Sequence, residues 1–293
     1  MSELFFLGLC FIGTIISILS IWMPINSHIA WFSLIISILY TVYLYTVKRD
    51  RVLQKVVLCL HSQPLSAKLL ILLVFAIVLY YSLLPPLVAD ARLYYLQSIL
   101  WNETYPLIPG LGNIHGRLGF NSNILLLTSA FSFYDIFSFR VFAIVGLSVF
   151  VLIGWMITEL VRQKDMVKAI ITGIVCFAFL YEYGLGISSA STDIMPNVIV
   201  MFLLMKIIFD KDSLSQSPVM FWTLSLYALT LKLSIAPLCL LCVLILYTLA
   251  RKKQYSQIVV LSVIAVFCHY SLVYSDNCDN RLSYISIPFS RYL

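Results

Sequence analysis

Charge is what this sequence has least of. Asp, Glu, Lys and Arg make up 11% of its 293 residues, against about a quarter in ordinary water-soluble domains. A chain so poor in charge and 61% hydrophobic lacks the polar surface of a soluble domain, and no separate soluble domain, internal repeat or low-complexity tract interrupts it. Histidine is scarce as well, with four copies. The net charge of +6 has no contiguous basic face behind it, which excludes nucleic acid as a partner. Cysteine is present seven times, and Cys239-Leu-Leu-Cys242 has CxxC spacing. That pair lies inside an apolar run with no βαβ context, so it is read as two small hydrophobes rather than a redox or metal site. Gly110-x-Gly112 lacks the preceding strand and following helix of a dinucleotide fingerprint. No metal site and no cofactor is expected.

What fills the chain instead is long apolar segments, reflected in a mean hydropathy of +0.98. The fold class that follows is all-α and integral to a membrane, because uncharged runs of about 20 residues cross the hydrocarbon core as helices. The pattern predicts about nine spans, over residues 4–23, 29–47, 68–87, 139–159, 168–184, 194–209, 217–230, 233–250 and 257–275. The first is read as a retained helix, since Glu3 stands where a signal peptide carries basic residues and no small-residue cleavage site follows.

Placing the N-terminus in the cytoplasm puts Lys48, Arg49, Arg51, Lys55, Lys68, Arg162, Lys164, Lys168, Lys206, Lys211, Arg251, Lys252 and Lys253 on the inner side. Six basic residues stay outside: Arg92, Arg117, Arg140, Lys232, Arg281 and Arg291. That imbalance obeys the positive-inside rule and fits a bacterial inner membrane. Three regions result: a two-helix segment with a basic loop (1–67), a membrane core (68–275) and a short outer tail (276–293). The abrupt end of the tail is what a shortened chain would give.

The one long polar segment, residues 88–138, falls on the outer side. Two interfacial helices are expected within it. In "DARLYYLQSILWNE" (90–103), Leu93, Leu96 and Leu100 share a helical face. The run "NILLLTSAFSFY" (123–134) is too short to cross, and counting it as a span would invert the charge rule. It is therefore placed at, or dipping into, the outer interface. Between the two runs "LIPGLGNIHGRLGFNSN" (107–123), where glycines permit tight turns and Asn113, His115, Arg117, Asn121 and Ser122 supply polar groups.

Each charged residue on this side has two readings. Asp90, just past the third span, serves either as a general base at a membrane-embedded cavity or as the N-cap of the helix beginning "ARLYYL". Asp193, ahead of Ile194-Met195-Pro196, is likewise a ligand or a cap. Lys232 in "LTLKLSIAPL" either extends its ammonium toward water or meets a substrate phosphate. Arg117 suits bidentate phosphate binding, and His115 donates to an anion or shuttles a proton. Arg140 and Asp135 are read as interfacial anchors. Together with Glu182, the residues Asp90, His115, Arg117, Asp193 and Lys232 form an outer set of carboxylates and cations suited to a phosphate-bearing lipid.

An acidic residue after an early span, an amphipathic helix, a polar loop, a second short helix and an Arg-initiated span resemble the GT-C superfamily of multi-pass glycosyltransferases. The 34 residues "DARLYYLQSILWNETYPLIPGLGNIHGRLGFNSN" (90–123) also resemble a bacterial family of uncharacterised membrane proteins associated with surface-polysaccharide loci. The resemblance implies transfer of a sugar from a polyprenyl-phosphate donor to a periplasmic glycan or lipid acceptor. It implies Asp90 as the catalytic carboxylate, with Arg117, His115 and Lys232 on the phosphate and Asn113 and Asn121 on the sugar. Two departures stand out: Asp90-Ala91-Arg92 offers one acidic residue where the superfamily usually has two, and the chain is shorter than most members. Two other readings share this chemistry: a surface-polysaccharide polymerase (O-antigen or capsule), and a non-enzymatic transporter of lipid-linked sugars.

Overall fold

Uncharged runs bounded by Asn, Pro, Asp and Gly fold into helices in the computed structural model, which describes residues 2–47, 61–108, 110–111, 116–119 and 122–280. In chain order these are α1 (Ser2–Leu19), α2 (Ser27–Thr46), α3 (Leu65–Leu83), α4 (Leu96–Thr104) and α5 (Asn123–Ala130). There follow α6 (Ala143–Gln163), α7 (Met166–Tyr183), α8 (Ile194–Phe209), α9 (Pro218–Leu231), α10 (Cys239–Arg251) and α11 (Tyr255–Asn280). No strand occurs among the described residues. Local chemistry sets several boundaries. Asn26 caps α2 by accepting from the His28 amide at 3.2 Å, and Asp165 caps α7 by accepting from Val167 and Lys168. Pro218 opens α9, where a missing amide proton costs nothing.

Six of the helical segments are long and apolar enough to cross a membrane by length and composition: 2–19, 27–46, 65–83, 143–163, 166–189 and 233–251. Three shorter apolar helices, 194–209, 218–231 and 255–267, accompany them. Burial explains the difference. Ile194, Met195, Val198, Ile199 and Phe202 of α8, with Phe221, Leu224, Tyr227 and Ala228 of α9, are completely enclosed. These two helices form the centre and are apolar all round because protein surrounds them. By contrast α2 leaves Leu34, Ile35, Ile38, Leu39 and Tyr40 about half exposed or more. An apolar belt of that size requires lipid, and the architecture fits a multi-pass membrane protein.

The run at 123–134 behaves differently from expectation. Its helical part, α5, spans eight residues and every one of them is buried. It does not present an apolar face to lipid but is enclosed by neighbouring helices. Its two hydroxyls close on its own backbone, Thr128 donating to Ile124 and Ser129 to Leu125, so they need no water. The helix at 90–103 is two-sided as expected: Leu93 and Leu100 are exposed, while Ala91, Tyr95 and Ile99 are buried.

Contacts sort the connections to two ends. At one, Glu3 pairs with Lys206 at 2.6 Å, and Gln163 and Lys168 both donate to the Phe209 carbonyl. At the other, the Ile25 amide donates to Asn102 and the Leu107 amide to Ser20. The first end gathers Arg162, Lys164, Lys168, Lys206 and Lys211, as the charge pattern leads one to expect. The second holds residues 84–108, 122–142, 184–193 and 231–232. There Arg140, ahead of α6, forks onto Glu103 of α4, with Nη2 to Oε2 at 2.6 Å and Nε to Oε2 at 3.1 Å, and covers the Tyr134 ring at 4.6 Å.

The Glu103 and Arg140 side chains are only 11% and 19% exposed, so each charge depends on the other. Glu103→Leu should therefore destabilise the protein by about 3 kcal/mol, read by denaturant unfolding in detergent. Glu103→Leu with Arg140→Leu should cost less than Glu103→Leu alone, because no charge is stranded. Additive losses would show that the pair carries no such coupling.

Candidate functional site

The site grows from the chain that leaves α3. Pro85 and Pro86 cannot continue the helix, and residues 85–88 run along the turn 184–189 instead. Ser188 Oγ donates to the Pro85 carbonyl at 3.2 Å, and Ser189 Oγ accepts from the amides of Leu87 and Val88 at 3.1 and 3.2 Å. The next residues, Ala91–Tyr95, form one turn of π-helix before α4 begins. Such wide turns occur mostly as single-turn bulges and frequently at functional sites. Tyr95, 2% exposed, is fixed there by a hydrogen bond between its Oη and Thr192 Oγ1 at 3.1 Å. Asp90 is thus held from both sides, through Val88 to Ser189 and through Tyr95 to Thr192.

Asp90 does not cap the helix that follows it. Its backbone is already helical, its carboxylate makes no capping hydrogen bond, and it accepts from Arg117 Nη1 at 2.8 Å. Arg117 lies on the short turn Gly116–Gly119, and its guanidinium stands 5.5 Å from the centre of the Tyr94 ring. Burial, helped by Tyr95 and the Asp90 charge, pushes the Tyr94 phenol well above its ordinary value. Tyr94 therefore stays a neutral hydroxyl beside the ion pair across the physiological range.

Asp193 repeats the arrangement. It stands at the start of α8 without a capping hydrogen bond and pairs with Lys232. Its backbone is fastened instead, the amide donating to Ser191 Oγ at 3.4 Å and the carbonyl accepting from Asn197 Nδ2 at 2.8 Å. Lys232 ends α9, where Ser122 Oγ donates to the preceding carbonyl of Leu231 at 2.5 Å. One residue on, Asn123 donates to Thr230 Oγ1 at 3.5 Å. Its Oδ1 is buried without a hydrogen-bond partner among the described residues.

Four of the expected residues thus form two ion pairs, Asp90 with Arg117 and Asp193 with Lys232. Both pairs hang on one seam of hydroxyl contacts, made by Ser122, Ser188, Ser189 and Thr192. Asn113, His115 and Asn121 lie outside the described residues. Gly110 supplies a left-handed backbone, φ 87°, as the loop turns away from α4. Glu182 is exposed near the end of α7 and joins neither pair. Among the described residues no group of three or more His, Cys, Asp or Glu is placed to hold a metal ion. Sequence reasoning read Tyr94 as a residue of the headgroup level and assigned no role to Asn123 or to the serines of 188–191. The clustering of "ISSASTD" before a helix was the available signal for the serines.

The chain belongs to the DUF8201 family, described as a domain of unknown function, whose model matches residues 1–275. No curated protein and no solved structure matches it.

Asp90 and Arg117 are 41% and 47% exposed at their side chains, and Asp193 and Lys232 are 41% and 39%. Ion pairs so open to solvent contribute about 1 kcal/mol or less to folding. Asp90→Asn and Arg117→Ala should each leave thermal unfolding in detergent within about 1 kcal/mol of the parent. A loss of 3 kcal/mol or more would make the pair structural.

Proposed function

We propose that this DUF8201 protein is a membrane glycosyltransferase that moves a sugar from a polyprenyl-phosphate donor to a glycan or lipid acceptor. The supporting observation is that two acidic residues at helix starts leave their caps unmade and hold cations instead, both at the end opposite Arg162, Lys164, Lys168, Lys206 and Lys211. Paired, half-exposed charges at a lipid boundary suit a ligand that is a phosphate on a lipid chain. The reading takes the resemblance to the GT-C superfamily as its guide to reaction type. It places the chain in a bacterial inner membrane with nine spans, the N-terminus in the cytoplasm and the site on the outer face.

In this reading the incoming phosphate draws Arg117 and Lys232 from their carboxylates. Asp90, released from Arg117, is then free to accept a proton. The acceptor hydroxyl gives its proton to Asp90 while its oxygen bonds to the anomeric carbon. The bond from that carbon to the phosphate oxygen breaks, and the electron pair leaves with the polyprenyl phosphate. Arg117 and Lys232 stabilise the charge that develops there, with His115 as a third donor. Tyr94, kept as a phenol, offers a hydrogen bond beside Asp90. Asn113 and Asn121 orient the sugar, and Asp193 returns Lys232 to its resting place when the product leaves.

Asp90→Asn keeps the shape of the side chain and removes the base. Sugar transfer by the purified chain from a polyprenyl-phosphate donor should fall by about 100-fold to 10,000-fold, with unchanged protein level. Activity retained within threefold would end the mechanism. A polymerase would show itself in a deletion strain as altered glycan chain length rather than loss of one sugar.

A transporter is separated from both enzymes by access. Cysteines introduced at 90 and 232 in a background lacking the native ones should react with an impermeant thiol reagent from the outer side alone. Labelling from the cytoplasmic side as well would favour transport.

A further inference from the structure

A second feature lies at the other end of α3. Lys68, Ile71, Leu72 and Phe75 are spaced i, i+3, i+4 and i+7, so they line one face of that helix over about 10 Å of its axis. Together with His61 and with Phe150 of α6 they border an open groove of about 490 Å³. The Phe75 and Phe150 rings meet edge to face at 5.5 Å, at the end of the groove farther from Lys68. The helices approach closely farther along because Gly146 faces Ser82: a Cβ at Gly146 would lie 2.5 Å from Ser82 Oγ. The two helices are thus tight near the candidate site and leave an opening near Lys68.

Lys68 bends back across the turn, and its ammonium donates to the His61 carbonyl at 3.0 Å. That contact fixes the charge at the mouth of the groove. An ammonium carries three N–H donors, so the bond to His61 leaves further donors for an anion. The head of the groove is therefore cationic and polar, and its floor is four apolar side chains. That order, phosphate first and hydrocarbon after, is the order of a phospholipid entering from the water side. Lys48, Arg49, Arg51 and Lys55 precede this point in the sequence, so the charge complementarity is to a negative headgroup.

We propose that this groove is a binding site for an anionic diacyl phospholipid of the adjacent leaflet. The phosphate rests on Lys68, and one acyl chain lies along Ile71, Leu72 and Phe75 against Phe150. The site is separate from the one around Asp90: about 15 residues of α3, or roughly 22 Å of helix, lie between Lys68 and Leu83. It does not depend on the transferase reading. Its consequence is mechanical, since a lipid wedged between α3 and α6 would steady the helix that delivers Asp90.

The test uses the purified full chain in a neutral detergent, with thermal unfolding followed as lipid is added. Dioleoyl phosphatidylglycerol should raise Tm, dioleoyl phosphatidylcholine should raise it far less, and inorganic phosphate should not raise it. Lys68→Gln should weaken the phosphatidylglycerol effect on the order of fivefold in half-saturating concentration, and Lys68→Arg should preserve it. Ile71→Trp, which fills the groove, should abolish it. Equal shifts with both lipids would overturn the proposal. So would an undiminished response in Lys68→Gln or Ile71→Trp, or a response to phosphate alone.

Discussion

A charge in hydrocarbon is expensive unless it is paired or reaches water, and that constraint organises the whole molecule. With so few charges, the chain keeps them at the two ends of its helices. One end gathers the basic residues of the loops after α6 and α8, closed by Glu3 on Lys206. The other end holds fewer charges, and six of them form carboxylate–cation pairs: Asp90–Arg117, Glu103–Arg140 and Asp193–Lys232. The interior between the ends is left to apolar packing around α8 and α9, with hydroxyls closing on their own helices.

The three pairs at the second end are not alike. Glu103 and Arg140 are shielded and bind through two guanidinium nitrogens, which suits a fastening between α4 and α6. The other two pairs are about half open and tie together segments that hydroxyl contacts already hold. Their contribution to folding is small by comparison. Asp90 and Asp193 stand at helix starts where simple capping was available, yet make no capping hydrogen bond. In the proposed reading, a phosphate arriving at Arg117 and Lys232 meets cations whose partners stand ready to take the charge back.

Much of this architecture was legible in the sequence, and the exceptions have physical causes. Helices stand near the expected positions, six of the segments long and apolar enough to cross a membrane, because a helix satisfies its own backbone within an apolar run. The charge imbalance also sorted the connections to two ends, since contacts join 163–168 with 209 and 25 with 102. What it could not give was environment. The run at 123–130 is short and apolar, and whether lipid or protein surrounds such a run depends on tertiary neighbours. Asp90 and Asp193 looked equally suited to capping, and only the position of Arg117 and Lys232 in space shows why neither caps. The π-helical turn at 91–95 has no sequence signature, and Ser189 accepts two amides from residues about 100 positions away.

The central claim is that both open ion pairs belong to one site for a lipid-linked phosphate. The most direct measurement is photo-crosslinking of the purified full chain with a short-chain polyprenyl phosphate carrying a diazirine next to the phosphate, mapped by peptide mass spectrometry. The account predicts adducts from this one probe on both 85–95 and 189–195, with 228–235 as a third region, all suppressed by excess unlabelled polyprenyl phosphate. Adducts confined to the lipid-facing surface of α2 or to the basic end, or labelling at the site that excess ligand leaves unchanged, would contradict it.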